Sequence, residues 1–271
     1  LKRENMKNIK KSVLFFTLLL PLLILAVISQ EKNVHDNNMI VEKCIESEPL
    51  ETSLRVFVDN SINKLNKEDI NRKILSLIET SNRVLNKSCI PLKRNLTSVH
   101  FVDNLFTPYN NKEFSLLYER MLNTLPPKEQ KHHLESLNEF FVILLKDLPF
   151  DYNGFTYPHT VSRMAAITLD GNKYVLEHEL GHLSLAGHER SFTDKFDNDP
   201  RAYAYNCGIY RTIMNENTSD GVVIGIYSSP YISIGKEKCG RTGNADNSQV
   251  IRDWVSFMRN KSSLLEQAKG L

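Results

Sequence analysis

One run of eleven residues, HELGHLSLAGH at 178–188, constrains the fold of this chain more than any other stretch. The whole chain has eight histidines, and three of them, His178, His182 and His188, lie in this run. Histidines four residues apart on a helix share one face, so the first two rings can reach a common point. The fold therefore has to supply a helix here and a segment after it that returns toward the helix.

The residue types in this run predict a zinc site. Neutral imidazole is a good zinc ligand, and catalytic sites bind zinc through three protein ligands and keep one position open. His188 is predicted as the third ligand, since Gly187 would let the chain turn back beyond the helix end. Glu179 follows His178 and would point beside the ion, where a carboxylate can act as general base on a water molecule. We therefore expect one Zn2+ bound by the three histidines, with Glu179 as the catalytic base.

HELGHLSLAGH resembles the metzincin signature HExxHxxGxxH, the zinc-binding helix and turn of a large clan of metalloproteases. The signature glycine is Leu185 here, and a glycine two positions later would let the turn move to Gly187. Metzincins also have a methionine turn beneath the zinc, a role that the resemblance assigns to Met214 in YRTIMNENT. Over residues 173–258 the chain is similar to bacterial secreted reprolysin-like and peptidyl-Asp metallopeptidases. The resemblance implies a zinc-dependent endopeptidase that acts on protein or peptide substrates.

The order of predicted elements describes a mixed α/β (α+β) domain. A strand at 54–58 precedes a long amphipathic helix that begins near Asn66, and further strands are predicted at 98–102 and 140–145. The segment at 159–169 is predicted to be extended, at an edge of the sheet. By the resemblance, a peptide substrate would lie antiparallel to it. We expect a metzincin-like fold with a twisted mixed sheet and long helices in an upper subdomain.

The sequence after residue 188 is irregular and rich in Pro, Gly, Asn and Tyr. A final amphipathic helix is predicted at 247–269, with Asp246 as its cap. The chain is thus expected to divide near the histidine run, and a cleft between two parts is a common place for a ligand.

The first thirty residues are typical of an export signal. Three lysines, at Lys7, Lys10 and Lys11, precede an apolar run at 13–29. A membrane anchor is the alternative, but the run contains Pro21 and is short for a span of about 20 residues. We expect a secreted protein, extracellular or periplasmic, without stable membrane association after cleavage. The predicted boundaries are 1–29 for the signal peptide, 30–52 for a polar leader or short pro-segment, and 53–271 for the catalytic domain, with subdomains at 53–187 and 188–271.

Export would expose the four cysteines to an oxidising compartment, where they tend to pair. Four cysteines allow three pairings. Pairing Cys44 with Cys89 and Cys207 with Cys239 keeps each bridge within one region of the chain, and we prefer it for that reason.

The charge balance argues against a nucleic-acid partner. The chain has 34 basic and 32 acidic residues and a net charge of +2, which gives no field that would gather a polyanion. A monomer is expected. Asp194, Asp197 and Asp199 could hold a structural Ca2+, although their spacing matches no EF-hand loop and a solvated turn is the competing interpretation. His132 and His133 lie in a charged segment and are predicted to be surface residues.

Two alternatives remain open. In the first, a downstream carboxylate, Glu216 or Asp220, supplies the third zinc ligand and His188 is idle. In the second, the protein is a secreted zinc-binding module with a metalloprotease-like fold that cleaves nothing. The presence of Glu179 argues against the second, because loss of the base is the simplest route to such a protein.

Overall fold

The computed structural model describes residues 39–269, apart from 43, 45–46, 63–64, 104, 106–112, 149–152, 157–162, 190–198 and 216–220. The predicted signal peptide at 1–29 lies outside the described residues. Within the described part of the chain, no helix is long and apolar enough to cross a bilayer. In chain order the elements are β1 (Met39–Val41), β2 (Leu50–Asp59), α1 (Lys67–Lys87), β3 (Leu92–Val102), α2 (Glu113–Thr124), α3 (Pro127–Glu135), β4 (Glu139–Leu145), β5 (Gly154–Thr156), β6 (Met164–Thr168), α4 (Val175–Leu183), β7 (Asn206–Cys207), β8 (Tyr210–Arg211), β9 (Val222–Val223), β10 (Ser229–Ile234), β11 (Glu237–Cys239) and α5 (Asn247–Lys269).

A five-stranded sheet in the order β3-β2-β4-β6-β5 lies at the centre of the molecule. Neighbouring strands are parallel except for β5, which is antiparallel to β6. The central strand β4 reads EFFVILL and is buried at every residue, as expected for a parallel strand covered on both faces. The mixed α/β class and the buried strand at 140–145 are therefore confirmed.

The two faces of the sheet belong to separate cores. Alternate residues of β4 point to opposite faces. Phe140 and Val142 pack in a core with α1, α4 and α5, whereas Phe141 and Ile143 pack in a core with α2. The first core also contains Met214 and other residues that follow the histidine run, so the chain does not divide its core at residue 187.

The edge of the sheet differs from the prediction. Within the predicted edge segment at 159–169, the described residues form β6, which pairs with β4 on one side and with β5 on the other. The five residues of β6, MAAIT, are all buried, and such small or apolar side chains suit a strand that is covered on both faces. On this side of the described sheet the outer strand is β5, Gly154–Thr156, and on the other side it is β3.

The helix start predicted near Asn66 and the cap predicted at Asp246 are both confirmed. The Asn66 side chain accepts the backbone N–H of Asp69 at 2.9 Å, at the start of α1. The Asp246 carboxylate accepts the N–H of Gln249 at 3.1 Å, at the start of α5. Helix α5 then packs on the central sheet, since the rings of Trp254 and Phe140 lie 6.2 Å apart.

Both predicted disulfides are present, Cys44–Cys89 and Cys207–Cys239, with sequence separations of 45 and 32 residues. By the entropy of loop closure, a bridge over such a separation contributes about 4 kcal/mol to stability. The Cys207–Cys239 bridge lies in a small apolar cluster with Ile226, Ile232 and Ile234. Because this cluster is small, the bridge is important for the stability of that region.

The described part of the predicted leader at 30–52 contains one short strand and the start of another. Strand β1 pairs antiparallel with β10 in a small sheet, and the bond from Cys44 joins this segment to the end of α1. Strand β2 begins at Leu50, within the predicted leader. Residues 39–42 are thus a structural part of the fold, and residues 30–38 lie outside the described part.

Candidate metal centre

Helix α4 supports two of the three predicted zinc ligands, and it ends in a Schellman motif. The N–H of Leu185 donates to the carbonyl of His182 at 3.0 Å, and the N–H of Ala186 donates to the carbonyl of Gly181 at 2.9 Å. These two hydrogen bonds are typical of a helix that ends at a residue with a left-handed backbone conformation. That residue is Leu185, with a φ of 71°. The expectation that the turn moves to Gly187 is therefore wrong, and leucine occupies the position that normally takes glycine.

Gly187 is held by the start of α5. Its N–H donates to the side-chain oxygen of Asn247 at 3.0 Å, and its carbonyl accepts from the Asn247 amide at 2.9 Å. Both partners are buried. The amide thus fixes the backbone directly before His188 and sets the direction from which that ring approaches α4.

The three predicted ligands converge. The candidate ligand nitrogens of His178, His182 and His188 all lie within 4.8 Å of one another. The Nε2 of His188 is 3.0 Å from the Nε2 of His178 and 2.8 Å from the Nε2 of His182. Among the described residues this is the one group of three or more His, Cys, Asp or Glu side chains close enough to hold a metal ion.

The hydrogen bonds of this trio fit a bound cation. His178 donates from Nδ1 to the carbonyl of Ile213 at 2.7 Å, and His182 donates from Nδ1 to the carbonyl of Ala186 at 2.9 Å. A neutral imidazole has one proton, so both Nε2 atoms expose lone pairs toward His188. A metal ion between the three rings could bind these lone pairs, and carbonyl partners on the far nitrogen are usual for metal-bound histidine.

Burial keeps these imidazoles in the form that binds metal. Burial lowers the pKa of His178, and it lowers that of His182 well below the usual range. Burial, with a smaller effect from His178, lowers the pKa of His188 to about 3. All three rings are therefore neutral near pH 7, and neutral imidazole is the zinc ligand.

Met214 lies against the helix that holds the ligands. It is fully buried, and it follows Ile213, whose carbonyl accepts from His178. A Cβ built on Gly181 would lie 3.0 Å from its sulfur, so the absence of a side chain at Gly181 lets the methionine approach the helix backbone. Met214, which the resemblance assigned to a methionine turn, thus contacts α4. It directly follows Ile213, whose carbonyl orients the ring of His178.

Glu179 is 5% exposed and lies next to the edge strand of the central sheet. A Cβ added to Gly154 on β5 would be 2.4 Å from the Oε1 of Glu179. Only glycine permits this approach of the strand backbone to the carboxylate. The predicted base and the outer strand β5 of the described sheet therefore meet at one place.

A buried network behind α4 was missed by sequence reasoning. Arg94 on β3 forms an ion pair with Glu177, the residue before His178, and both side chains are 0% exposed. Tyr227 donates its hydroxyl to Glu177 at 2.9 Å. Alternation along β3 could have indicated Arg94, because it shares the buried face with Leu92.

The other candidate residues lie apart from this centre. Asp199 pairs with Arg201 at 2.6 Å, and this hydrogen bond lowers its pKa, whereas Asp194 and Asp197 lie outside the described residues. The alternative ligands Glu216 and Asp220 also lie outside them.

The prediction of a surface position is wrong for His133. Its side chain is fully buried, stacks on Phe141 with ring centroids 3.7 Å apart, and bonds the Glu139 carboxylate at 2.9 Å. His132 is exposed, as predicted.

Comparison with known proteins gives a fold neighbour and no family. No family model and no curated protein matches the chain. Among 106 matching chains of solved structures, one is described as a chaperone-substrate complex. It superposes with a TM-score of 0.61 at 14% identity, over 79% of this chain and 39% of the solved chain. This chain thus spans well under half the length of that neighbour, and at this identity the match supports the fold alone.

Proposed function

We propose that this protein is a secreted zinc-dependent endopeptidase of metzincin type that hydrolyses internal peptide bonds of protein or peptide substrates. One observation carries the proposal. Three neutral imidazoles point their Nε2 atoms at one another while carbonyl oxygens hold the Nδ1 protons of two of them. In that arrangement the Nε2 atoms converge on one point, where a cation can bind their lone pairs.

Zinc is the cation that best suits this donor set. Three histidines are a ligand set of catalytic zinc sites, which leave a position open for water or substrate. When bound there, zinc would polarise a substrate carbonyl and lower the pKa of a water molecule. His178, His182 and His188 would hold it, and the buried carbonyl partners of the first two would fix the ring orientations.

Glu179 would act as the general base. A carboxylate oxygen of Glu179 would take the proton of the attacking water and later return it to the nitrogen of the leaving amine. Its burial beside Gly154 shields it from bulk water and places it next to β5.

The substrate would lie along β5. This strand pairs with β6 on one side, and no described strand pairs with its other side. An extended peptide can add to such an edge through main-chain hydrogen bonds. The scissile carbonyl would then pass Glu179, because the backbone of Gly154 contacts that carboxylate.

Secretion is supported by the disulfides. All four cysteines are paired, and disulfides persist in oxidising compartments outside the cytosol. The charged and apolar pattern of the first thirty residues agrees with export.

The decisive experiment replaces Glu179 by Gln in protein of measured zinc content. We expect about one zinc per chain in both proteins and a fall in peptide hydrolysis of at least about 100-fold in the variant, since the base alone is lost. Hydrolysis is measured against a diverse peptide library, with and without a chelator. Glu135→Gln, at an exposed position on α3, is the control and should cleave at the wild-type rate.

Three results would each overturn a separate part of the proposal. Wild-type cleavage by the Glu179→Gln variant would eliminate the assigned base. Zinc binding without cleavage of any library peptide would favour a non-catalytic binding module. Purified protein without zinc that cannot be loaded with zinc would eliminate the metal centre.

A further inference from the structure

A second carboxylate of α4 faces away from the candidate metal centre. Arg94 contacts both carboxylate oxygens of Glu177, through Nε at 3.3 Å and through Nη2 at 3.2 Å. Both side chains are completely buried. The guanidinium also donates to the hydroxyl oxygens of Thr52 on β2 and Ser184 at the end of α4, each at 3.4 Å. The arginine thus connects two strands of the sheet to both ends of the ligand helix.

Tyr227 closes the same network from the other side. Its hydroxyl lies 2.8 Å from the carbonyl oxygen of Glu177 and 2.9 Å from its Oε1, so it donates to this one residue. Burial raises the pKa of Tyr227 well above the usual range, and the neighbouring carboxylate adds to this, so the donor proton is retained. A Cβ at Gly181 would lie 2.6 Å from the Tyr227 oxygen, which places the phenol directly on the helix backbone.

The helix geometry relates this network to the chemistry. Successive residues of an α-helix are about 100° apart around its axis. Glu177 and Gly181 therefore share one face, the two ligand histidines share the next, and Glu179 lies on the far side of that face. A small rotation of α4 about its axis would displace the ligands and the base together.

A contribution to stability does not by itself explain this buried network. Two charges that leave water lose hydration energy, and a well-packed apolar pair of similar volume often stabilises a protein equally well. A bidentate arginine–carboxylate pair, in contrast, has strict directional requirements. Such a pair fixes a helix at one rotation, which apolar packing does less strictly.

We propose that Arg94, Glu177 and Tyr227 are positioning residues that set the rotation of α4 and thereby aim its ligand histidines toward His188 and Glu179 toward β5. The proposed effect on metal affinity depends only on the geometry of His178, His182 and His188. The part that concerns turnover also rests on the proposed peptidase function.

The test compares two buried carboxylates that pair with arginine on opposite faces of one sheet. Glu177→Gln breaks the pair with Arg94, and Glu139→Gln breaks the matched pair with Arg55, whose Nη2 lies 3.0 Å from Glu139. Zinc affinity is measured by competition with a chelator, hydrolysis as kcat and KM, and folding by thermal unfolding. We expect both variants to unfold at lower temperature. Only Glu177→Gln should lose zinc affinity, by about 10- to 100-fold as for other residues that support metal ligands, with a lower kcat and a nearly unchanged KM.

Tyr227→Phe keeps the test decisive if Glu177→Gln fails to fold. It removes one hydroxyl and keeps the packing of the ring, and it should lower zinc affinity and kcat by a smaller factor. The proposal is overturned if folded Glu177→Gln, or Tyr227→Phe in its place, binds zinc and turns over like wild type. It is also overturned if Glu139→Gln lowers zinc affinity equally. If the wild type cleaves no peptide, the peptidase function fails, and the zinc affinities still decide whether the network positions the ligands.

Discussion

On one face of the central sheet His133 of α3 packs against β4, and on the other face His188 meets His178 and His182 of α4. Both sites bury imidazole, and in both sites burial lowers the pKa of the rings. The partners differ. His133 has a carboxylate on Nδ1 at 2.9 Å and the Tyr118 hydroxyl on Nε2 at 3.1 Å. In the trio, carbonyl oxygens accept from the Nδ1 atoms of His178 and His182, and the three Nε2 atoms face one another.

The difference shows how a buried histidine can be recognised as a ligand. At His133 each ring nitrogen meets a group that can accept or donate a proton, so the ring is satisfied by the protein itself. In the trio the Nε2 atoms of three rings converge, and a cation placed between them could bind all three. Convergence of Nε2 atoms is therefore more informative than burial or than the count of histidines.

The largest expected effect comes from removing one ligand. His188→Ala should lower zinc affinity by more than about 100-fold, because even loss of a group that only supports a ligand costs 10- to 100-fold. Zinc stoichiometry and chelator competition measure this change. His133→Gln is the control and should bind zinc as the wild type does.

Equal zinc binding by His188→Ala and wild type would show that His188 is idle. The third ligand would then have to come from a residue such as Glu216 or Asp220, and alanine variants at these two positions would identify it.

An intermediate effect on stability is expected when the pH is lowered, through His133, which bonds the Glu139 carboxylate. Burial, with smaller opposing effects from Glu139, holds the pKa of His133 below its ordinary value. The unfolded chain therefore takes up a proton near pH 6.5 that the folded protein resists, and stability falls as the pH drops below that value. His133→Gln removes this contribution. It should destabilise the protein by about 1–3 kcal/mol at pH 7, through lost hydrogen bonds, and by less at pH 5.

Urea unfolding of wild type and His133→Gln at both pH values measures the change. Because every other titrating group is common to the two proteins, the difference between them reports His133 together with Glu139, the carboxylate that it bonds. A gap that widens at pH 5 would mean that protonated His133 is favoured in the folded state, contrary to its lowered pKa.

The smallest expected effect is at the turn that delivers His188. Leu185 has a φ of 71° and is 47% exposed, so it is strained and buries little apolar surface. A left-handed conformation costs a residue with a side chain about 1–2 kcal/mol, and the greater freedom of glycine in the unfolded chain offsets part of that gain. Leu185→Gly should therefore stabilise the protein by about 0.5–1 kcal/mol.

Thermal unfolding of Leu185→Gly gives the sign of this effect. Leu134→Gly is the control, since Leu134 is 60% exposed but lies within α3, where glycine destabilises a helix by about 1 kcal/mol. Destabilisation by both substitutions would mean that the Leu185 side chain has packing interactions that outweigh its backbone strain.

Local patterns in the sequence predicted much of the site and of the fold. The spacing of His178 and His182 is a property of one helix, and the caps at Asn66 and Asp246 act within one turn. Such interactions span a few residues, so they can be inferred from the order of residue types alone.

What sequence reasoning missed depends on partners distant in the chain. The Arg94–Glu177 pair spans 83 residues, and the bond between Arg55 and Glu139 spans 84. His133 was predicted to be exposed because its neighbours in sequence are charged, whereas Glu139 and Tyr118 bury it. The edge strand was assigned to β6 because the three residues of β5 are too few to show a periodic pattern.

The bridge between Cys44 and Cys89 affects how limited digestion of this protein would appear. The exposed backbone at 47–49 lies between that bridge and β2, and β1 also pairs with β10. Cleavage of the backbone there would therefore release no fragment while the Cys44–Cys89 disulfide is intact. Nicked molecules would run as one species on a non-reducing gel, and a small N-terminal fragment would separate only after treatment with a thiol.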